Sequence, residues 1–213
     1  MILPAVVDGL IQTNAYFYID DESKHGFLVD PGAEAGRLLD IIKTRGFVIE
    51  KLLITHGHAD HIGAVPELQE KLGIPACMHE NGREYAENTE FNLTREFGAP
   101  IKLTNVEFLP DGSEITLSAT PKFSLKLLHV PGHTTDGAAF YSEKDGVAFV
   151  GDTIFHESYG RTDLYGGDET TLLNSIVKKL FTLPDETVLL SGHSGLTTVK
   201  EEKPRPWFAG LKA

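Results

Sequence analysis

The stretch LLITHGHADHIGA, residues 52–64, constrains this chain more than any other. It places His56, His58, Asp60 and His61 within six positions, directly after an apolar run. Imidazole and carboxylate groups are poor core material unless something compensates them. A metal ion is the compensator that suits such a set. His56 and His58 stand at i and i+2, a spacing at which helical side chains diverge by about 200°. The two rings converge on one point only where the chain is extended or looped. The pair therefore belongs at the C-terminal end of a strand over KLLIT, with Asp60 and His61 opening the next helix. Open α/β sheets place ligand sites at such strand ends.

Three later points repeat the arrangement. LKLLHVPGH is a strand followed by a turn carrying His133, GVAFVGDT is a strand ending at Asp152, and TVLLSGH is a strand ending at His193. Each apolar run delivers one metal-compatible residue at its C-terminal end. Seven such groups exceed the needs of one tetrahedral ion and suit two ions that share a bridge.

The rest of the chain fits a sheet-rich α/β frame. AYFYID, GFLVDPG, VIEKLLIT and IPACMH read as strands, and MILPAVVDGLIQTN as the first strand. AEAGRLLDIIKTRG carries an apolar stripe at helical spacing with Gly46 as its stop, and IGAVPELQEKLG is a second helix ending at Gly73. This alternation is the α/β pattern. In the middle, VEFLPDGSEITLS and GAAFYSEKDGVAFVG read as antiparallel strands joined by Asp-Gly turns. DETTLLNSIVKKLFTLP is an amphipathic helix with Asp168 as N-cap and Pro184 beyond its end. TTVKEEKP starts a last short helix. NGREYAENTEFNLTREFGAP reads as a helix followed by a long loop, a feature that often walls a site. No linker or short repeat divides the chain, so residues 1–213 are expected to form one domain.

Composition narrows the function. Hydrophobic residues at 41% and charged residues at 23% suit a globular chain rather than a disordered one. The 31 acidic against 19 basic side chains give a formal charge of −12, which disfavours a nucleic-acid partner. No run approaches the roughly 20 apolar residues of a membrane span. The N-terminus has no basic leader and Asp8 interrupts its apolar run, so it does not read as a signal peptide. Cys77 is the sole cysteine and can form no intrachain disulfide. A cytoplasmic protein is expected, of open oligomeric state. Outside the seven, His25 reads as a solvated turn residue and His79 as the end of a strand. His129 reads either as a hydrogen-bonding support for a ligand or as packing. Cys77 reads as a small buried apolar residue.

The ordered set H-x-H-x-D-H at 56–61, PGHT, GDT and GH resembles the metallo-β-lactamase superfamily across nearly the whole chain. That resemblance implies a four-layer αββα sandwich, with helices outside two central sheets. It assigns His56, His58 and His133 to one metal ion and Asp60, His61 and His193 to a second, with Asp152 bridging. Two divalent ions are implied, Zn²⁺ first and iron or manganese as alternatives. The implied chemistry is hydrolysis by a hydroxide bridging the ions, which Asp60 would orient.

GDTIFHESYGRTDLYGGD is similar to the segment after the bridging aspartate in glyoxalase II-like hydrolases, and most similar to the short bacterial group without a C-terminal helical domain. This implies a small thioester or ester as substrate, such as an S-acylglutathione. The basic residues with which full glyoxalase II holds glutathione have no counterpart in this sequence. Arg161 and Asp163 are expected to pair beside the metals, and His156, Tyr159 and Tyr165 are candidate substrate contacts. The chain departs from the family pattern in reading PGHTTDG for PGHTPG and GHSG for GHG. The chief rival is a persulfide dioxygenase of the same fold, which would hold one iron through His56, His133 and Asp152. A lactonase, a secreted β-lactamase, a nucleic-acid hydrolase and a non-catalytic metal-stabilised module are weaker rivals.

Overall fold

The computed structural model describes residues 1–211. The first half runs β1 (Ile2–Asp8), β2 (Gln12–Ile19), β3 (His25–Val29), α1 (Ala35–Arg45), β4 (Val48–Leu53), α2 (Ala59–Ile62), α3 (Val65–Leu72), β5 (Ala76–His79), α4 (Arg83–Glu87) and β6 (Val106–Leu109). The six strands lie in sequence order in one sheet. The first three pair antiparallel, and β3 to β6 run parallel.

The second half supplies β7 (Glu114–Thr116), β8 (Ser124–His129), β9 (Ala138–Ser142), β10 (Val147–Gly151), a small hairpin of β11 (Ile154–Phe155) and β12 (Ser158–Tyr159), α5 (Glu169–Lys178), β13 (Val188–Ser191), β14 (Thr197–Thr198) and α6 (Val199–Glu202). Six of these strands form a second sheet in the order β14-β13-β10-β9-β8-β7, mostly antiparallel, with β10 and β13 parallel.

Strand alternation builds the layers, because successive side chains leave opposite faces. In β2, Phe17 packs outward against Leu38 and Ile42 of α1 and Val65 and Leu68 of α3, while Tyr16 and Tyr18 face inward. Leu52 and Leu53 of β4 divide the same way. The inward set meets Leu125, Leu127, Phe140 and Phe149 of the second sheet. On that sheet's outer face, Ala148 and Val150 pack on Leu172 and Ile176 of α5. The result is the expected helix–sheet–sheet–helix sandwich.

Local signals act as the sequence suggests. Gly46 closes α1 at φ 67°, and the Asp168 Oδ1 accepts the Thr171 N–H at 2.7 Å at the start of α5. Two readings need correction. The Asp111-Gly112 turn does not make a hairpin: it carries the chain from β6 in the first sheet to β7 in the second. A two-residue signal fixes a reversal, but long-range pairing chooses the partner. His25 is no free turn residue. It opens β3 with Nδ1 2.7 Å from Glu50 Oε1, a carboxylate brought there by β4.

Candidate metal centre

The four strand-end segments meet along one margin of the sandwich. The loop after β4 comes from the first sheet, and those after β8, β10 and β13 come from the second. Two backbone bonds tie this margin: Ala138 N–H to Thr55 O at 2.8 Å, and Asn14 N–H to Gly192 O at 2.7 Å. Buried donors and acceptors are therefore spent joining the sheets where the ligands gather.

The seven residues separate into two groups whose candidate ligand atoms lie within 4.8 Å of one another: His56, His58 and His133, and Asp60, His61, Asp152 and His193. In the first, His58 Nδ1 lies 3.1 Å from His56 Nε2 and 3.0 Å from His133 Nε2. In the second, Asp60 Oδ2 lies 2.9 Å from His193 Nε2 and 3.5 Å from His61 Nε2. Asp152 reaches both groups. Its Oδ1 is 3.4 Å from His61 Nε2, and its Oδ2 is 3.3 Å from His193 Nε2 and 3.8 Å from His133 Nε2.

The outer nitrogens fix which atoms face inward. A carbonyl can only accept, so His133 Nδ1–H donates to Arg161 O and His193 Nδ1–H donates to Gln12 O, each at 2.7 Å. His61 Nδ1 is 3.0 Å from the Asp30 Oδ2, and His56 Nδ1 is 3.3 Å from Thr55 Oγ1. Each of these four rings thereby turns Nε2 toward its group. Such outer partners hold a ligating imidazole in one tautomer and one orientation.

Charge divides the groups. Burial, reinforced by the neighbouring imidazoles, pushes His56 well below the usual histidine range and His58 down to about 3. Burial lowers His133 too. A trio of neutral imidazoles is ready to ligate. In the second group burial opposes charge, but contacts between opposite charges outweigh it. The Asp152 and Asp60 carboxylates push His193 up to about 10, and His61 and His193 hold Asp152 well below the carboxylate range. In this set the raised His61 and His193 supply the positive charge that balances the two carboxylates, the place a metal cation would take. His58 Nε2, both nitrogens of His61, His193 Nε2 and Asp152 Oδ1 are buried without a well-aligned hydrogen-bond partner, the close approaches above notwithstanding. Such orphaned atoms are costly unless something binds them, so the donor set fits metal ions.

The structure adds residues that the sequence reading did not single out. Asp30 is buried at the end of β3, and its carboxylate accepts both the N–H and the Oγ1–H of Thr55 at 2.8 and 2.7 Å. It follows the same rule as the ligands, an acidic residue at the end of the apolar strand read in GFLVDPG, but it stands alone there with no histidine beside it. Asp136 lies beneath the H-x-H loop. Its Oδ2 accepts the Gly57 N–H at 3.0 Å, its Oδ1 is buried without a partner, and burial pushes its carboxyl up to about 7. It stands within the PGHTTDG departure.

The remaining candidates lie outside both groups. His156 is exposed, with its backbone N–H bonded to Ser194 Oγ at 3.0 Å. The Tyr159 hydroxyl donates to Glu169 at 2.6 Å, and its ring packs near Trp207 and Phe208. Tyr165 stacks on Phe91 at 3.5 Å and donates to Glu84 at 3.0 Å. Arg161 and Asp163 pair through two bonds of 2.7 and 2.8 Å, both side chains exposed. It is the Arg161 carbonyl, not its guanidinium, that holds His133. His129 stacks on His79 at 3.7 Å and donates to the Thr135 carbonyl at 2.9 Å, so it bonds no ligand directly. Cys77 is buried in the inter-sheet core, and burial pushes its thiol up to about 12.

Several known proteins are similar to this chain over most of its length. A hydroxyacylglutathione hydrolase of Haemophilus influenzae, GloC, is 35% identical over 206 residues, covering 95% of each chain. The crystal structure of the B3 metallo-beta-lactamase BLEG-1 superposes with a TM-score of 0.90 at 36% identity, covering 99% of this chain and 100% of that one. The structure of TTHA1623 in a di-iron-bound form gives a TM-score of 0.84 at 34% identity, covering 95% and 98%. The profile of the Metallo-beta-lactamase superfamily matches residues 8–193, from the end of β1 to the last of the seven candidate ligands, and the chain belongs to that superfamily.

Proposed function

We propose that this chain is a binuclear metal-dependent hydrolase that cleaves a thioester of the S-acylglutathione type. The observation that carries the reading is the completeness of both ligand groups, with Asp152 within reach of each. His56, His58 and His133 would hold one ion, Asp60, His61 and His193 the other, and Asp152 would bridge them. When bound, two such ions supply a hydroxide nucleophile at neutral pH and a Lewis acid for the scissile carbonyl. Zn²⁺ suits the imidazole-rich set, and iron is the metal of one solved neighbour.

The chain's own residues do the positioning. The Thr13 Oγ1–H reaches Asp60 Oδ2 at 3.4 Å and His193 lies on the same oxygen, so Asp60 is held where it can accept a proton from the attacking water. The carbonyls of Arg161 and Gln12 keep His133 and His193 from turning. A thiolate is a good leaving group and needs no strong general acid. His156 and Tyr165 are the candidate contacts for the substrate's outer parts.

Thioester cleavage is favoured by the similarity to a hydroxyacylglutathione hydrolase over 95% of both chains. A one-iron oxygenase would use His56, His133 and Asp152 and would leave His58, Asp60, His61 and His193 outside its ligand set. The test is metal stoichiometry on protein purified without chelators, followed by a thioester screen. About two metal ions per chain with thioester turnover is the expected result. Asp152→Ala should lose at least one ion and most of the activity. An active Asp152→Ala variant with full metal would refute the bridge, and one iron per chain with oxygen uptake on a persulfide would replace the reading.

A further inference from the structure

Glu202 ends α6 and is wholly buried. Burying an acidic side chain is costly unless donors and opposite charges meet it. The helix itself does not call for it. The capping box of α6 is made by Thr198 and Glu201, and Glu202 shares the buried side with Val199, where an apolar residue would serve. The groups that meet Glu202 tie α6 to another part of the fold. The Thr197 Oγ1–H donates to its Oε1 at 2.7 Å, and the Glu157 N–H lies 3.2 and 3.3 Å from its two oxygens. Arg205 spans both acids, with Nε 3.4 Å from Glu202 Oε2 and Nη1 3.0 Å from Glu157 Oε1.

Glu157 lies in the turn of the β11–β12 hairpin at φ 60°. A residue with a side chain keeps that conformation only where its surroundings impose it. The hairpin is only two residues long on each strand, too short to stand alone. Yet it joins two parts of the candidate metal centre. It begins just after Asp152 and Thr153, and ends just before Gly160 and Arg161, whose carbonyl accepts from His133 Nδ1 at 2.7 Å. At Gly160 the chain passes so close that a Cβ would meet Asp152 O at 1.9 Å and His133 Nδ1 at 3.2 Å. With backbone packed that tightly, a shift of the hairpin carries the Arg161 carbonyl with it.

We propose that Glu202 is a positioning residue for His133: its buried carboxylate pins the hairpin turn, and the hairpin keeps the Arg161 carbonyl on His133 Nδ1. The inference rests on the binuclear reading above for its consequence, which is that His133 Nε2 stays aimed at the first ligand group. His193 takes its outer bond from Gln12 O, on a different segment, and so serves as the internal control.

The test compares Glu202→Ala with Glu201→Ala, which breaks the capping box but leaves the buried carboxylate. The first readouts come from metal-free protein by NMR: exchange of the Glu157 amide and of the His133 imidazole N–H. Glu202→Ala should speed exchange at Glu157 about tenfold and free the His133 N–H, leaving that of His193 unchanged. Competition with a chelating dye should then show affinity for the ion of His56, His58 and His133 lowered about tenfold, with the other ion little affected. Glu202→Gln keeps an acceptor at the same reach and should restore both readouts. Glu201→Ala should lower the melting temperature and move neither. If Glu202→Ala does not fold, Glu202→Asp, which withdraws the carboxylate from the turn, should show the same shifts. A His133 N–H unmoved by loss of the Glu202 carboxylate, or moved equally by Glu201→Ala, would overturn the proposal. If that N–H is freed but the parent protein binds no metal, the positioning stands and the binuclear reading falls.

Discussion

At the scale of single residues, the supports of the ligands carry as much chemistry as the ligands themselves. Asp30 accepts two bonds from Thr55 and faces His61 Nδ1, so it fixes both the strand end and a ring. Asp30→Asn keeps the size but replaces the carboxylate whose Oδ2 lies 3.0 Å from His61 Nδ1. The expected outcome is a roughly 10- to 100-fold loss of affinity for the second ion, read by competition with a chelating dye. Asp136 is a second support, and burial raises its carboxyl to about 7. Between the unfolded value near 4 and this folded value, the native state holds a proton that the unfolded chain has lost. Stability must therefore fall as pH rises through that window and level off above it. Asp136→Asn, measured in chelator, should remove this slope and be more stable than the parent at pH 8, by up to about 4 kcal/mol. Parallel melting profiles of the two proteins from pH 5 to 8 would refute the assignment.

At the scale of elements, α5 shows what local chemistry secures. Its start is set by Asp168, whose Oδ1 accepts the Thr171 N–H, and its apolar face by Leu172 and Ile176. Asp168→Ala should cost about 1 kcal/mol of stability, seen as a lower melting temperature with unchanged metal content. The helix and its cap were legible because they depend on neighbours in sequence; α5 stops at Lys178, short of Pro184. The ligand-bearing strand ends were legible for a related reason: His56 and His58 at i and i+2 exclude a helix whatever the rest of the chain does. The segment 88–105 was not, since its path is set by contacts such as Asn92 Nδ2 to Ile101 O at 3.0 Å and Leu103 N–H to Ala86 O at 2.9 Å. Asp111-Gly112 misled because a tight turn states that the chain reverses, not which sheet receives it.

At the scale of the whole molecule, the candidate metal centre is a clasp between the two sheets. One contributes His56, His58, Asp60 and His61, the other His133, Asp152 and His193. Ions bound there stabilise only the folded chain. With each ion at about 100 times its dissociation constant, two sites add roughly 5 kcal/mol. Full chelation should then lower the melting temperature by about 10–20 °C for a chain of this size. Melting unchanged by chelation would mean that the seven residues bind no metal. The sequence by itself determined the alternation of elements, the sandwich and the seven candidate ligands, because periodicity, caps and spacing are local and an ordered motif set is specific. Tertiary structure decided that Asp30 lies beside His61 Nδ1, that Asp136 sits buried beneath the H-x-H loop, and that the Arg161 backbone and not its side chain holds His133. Those relations join residues tens of positions apart, and their distances exist only once both sheets have packed.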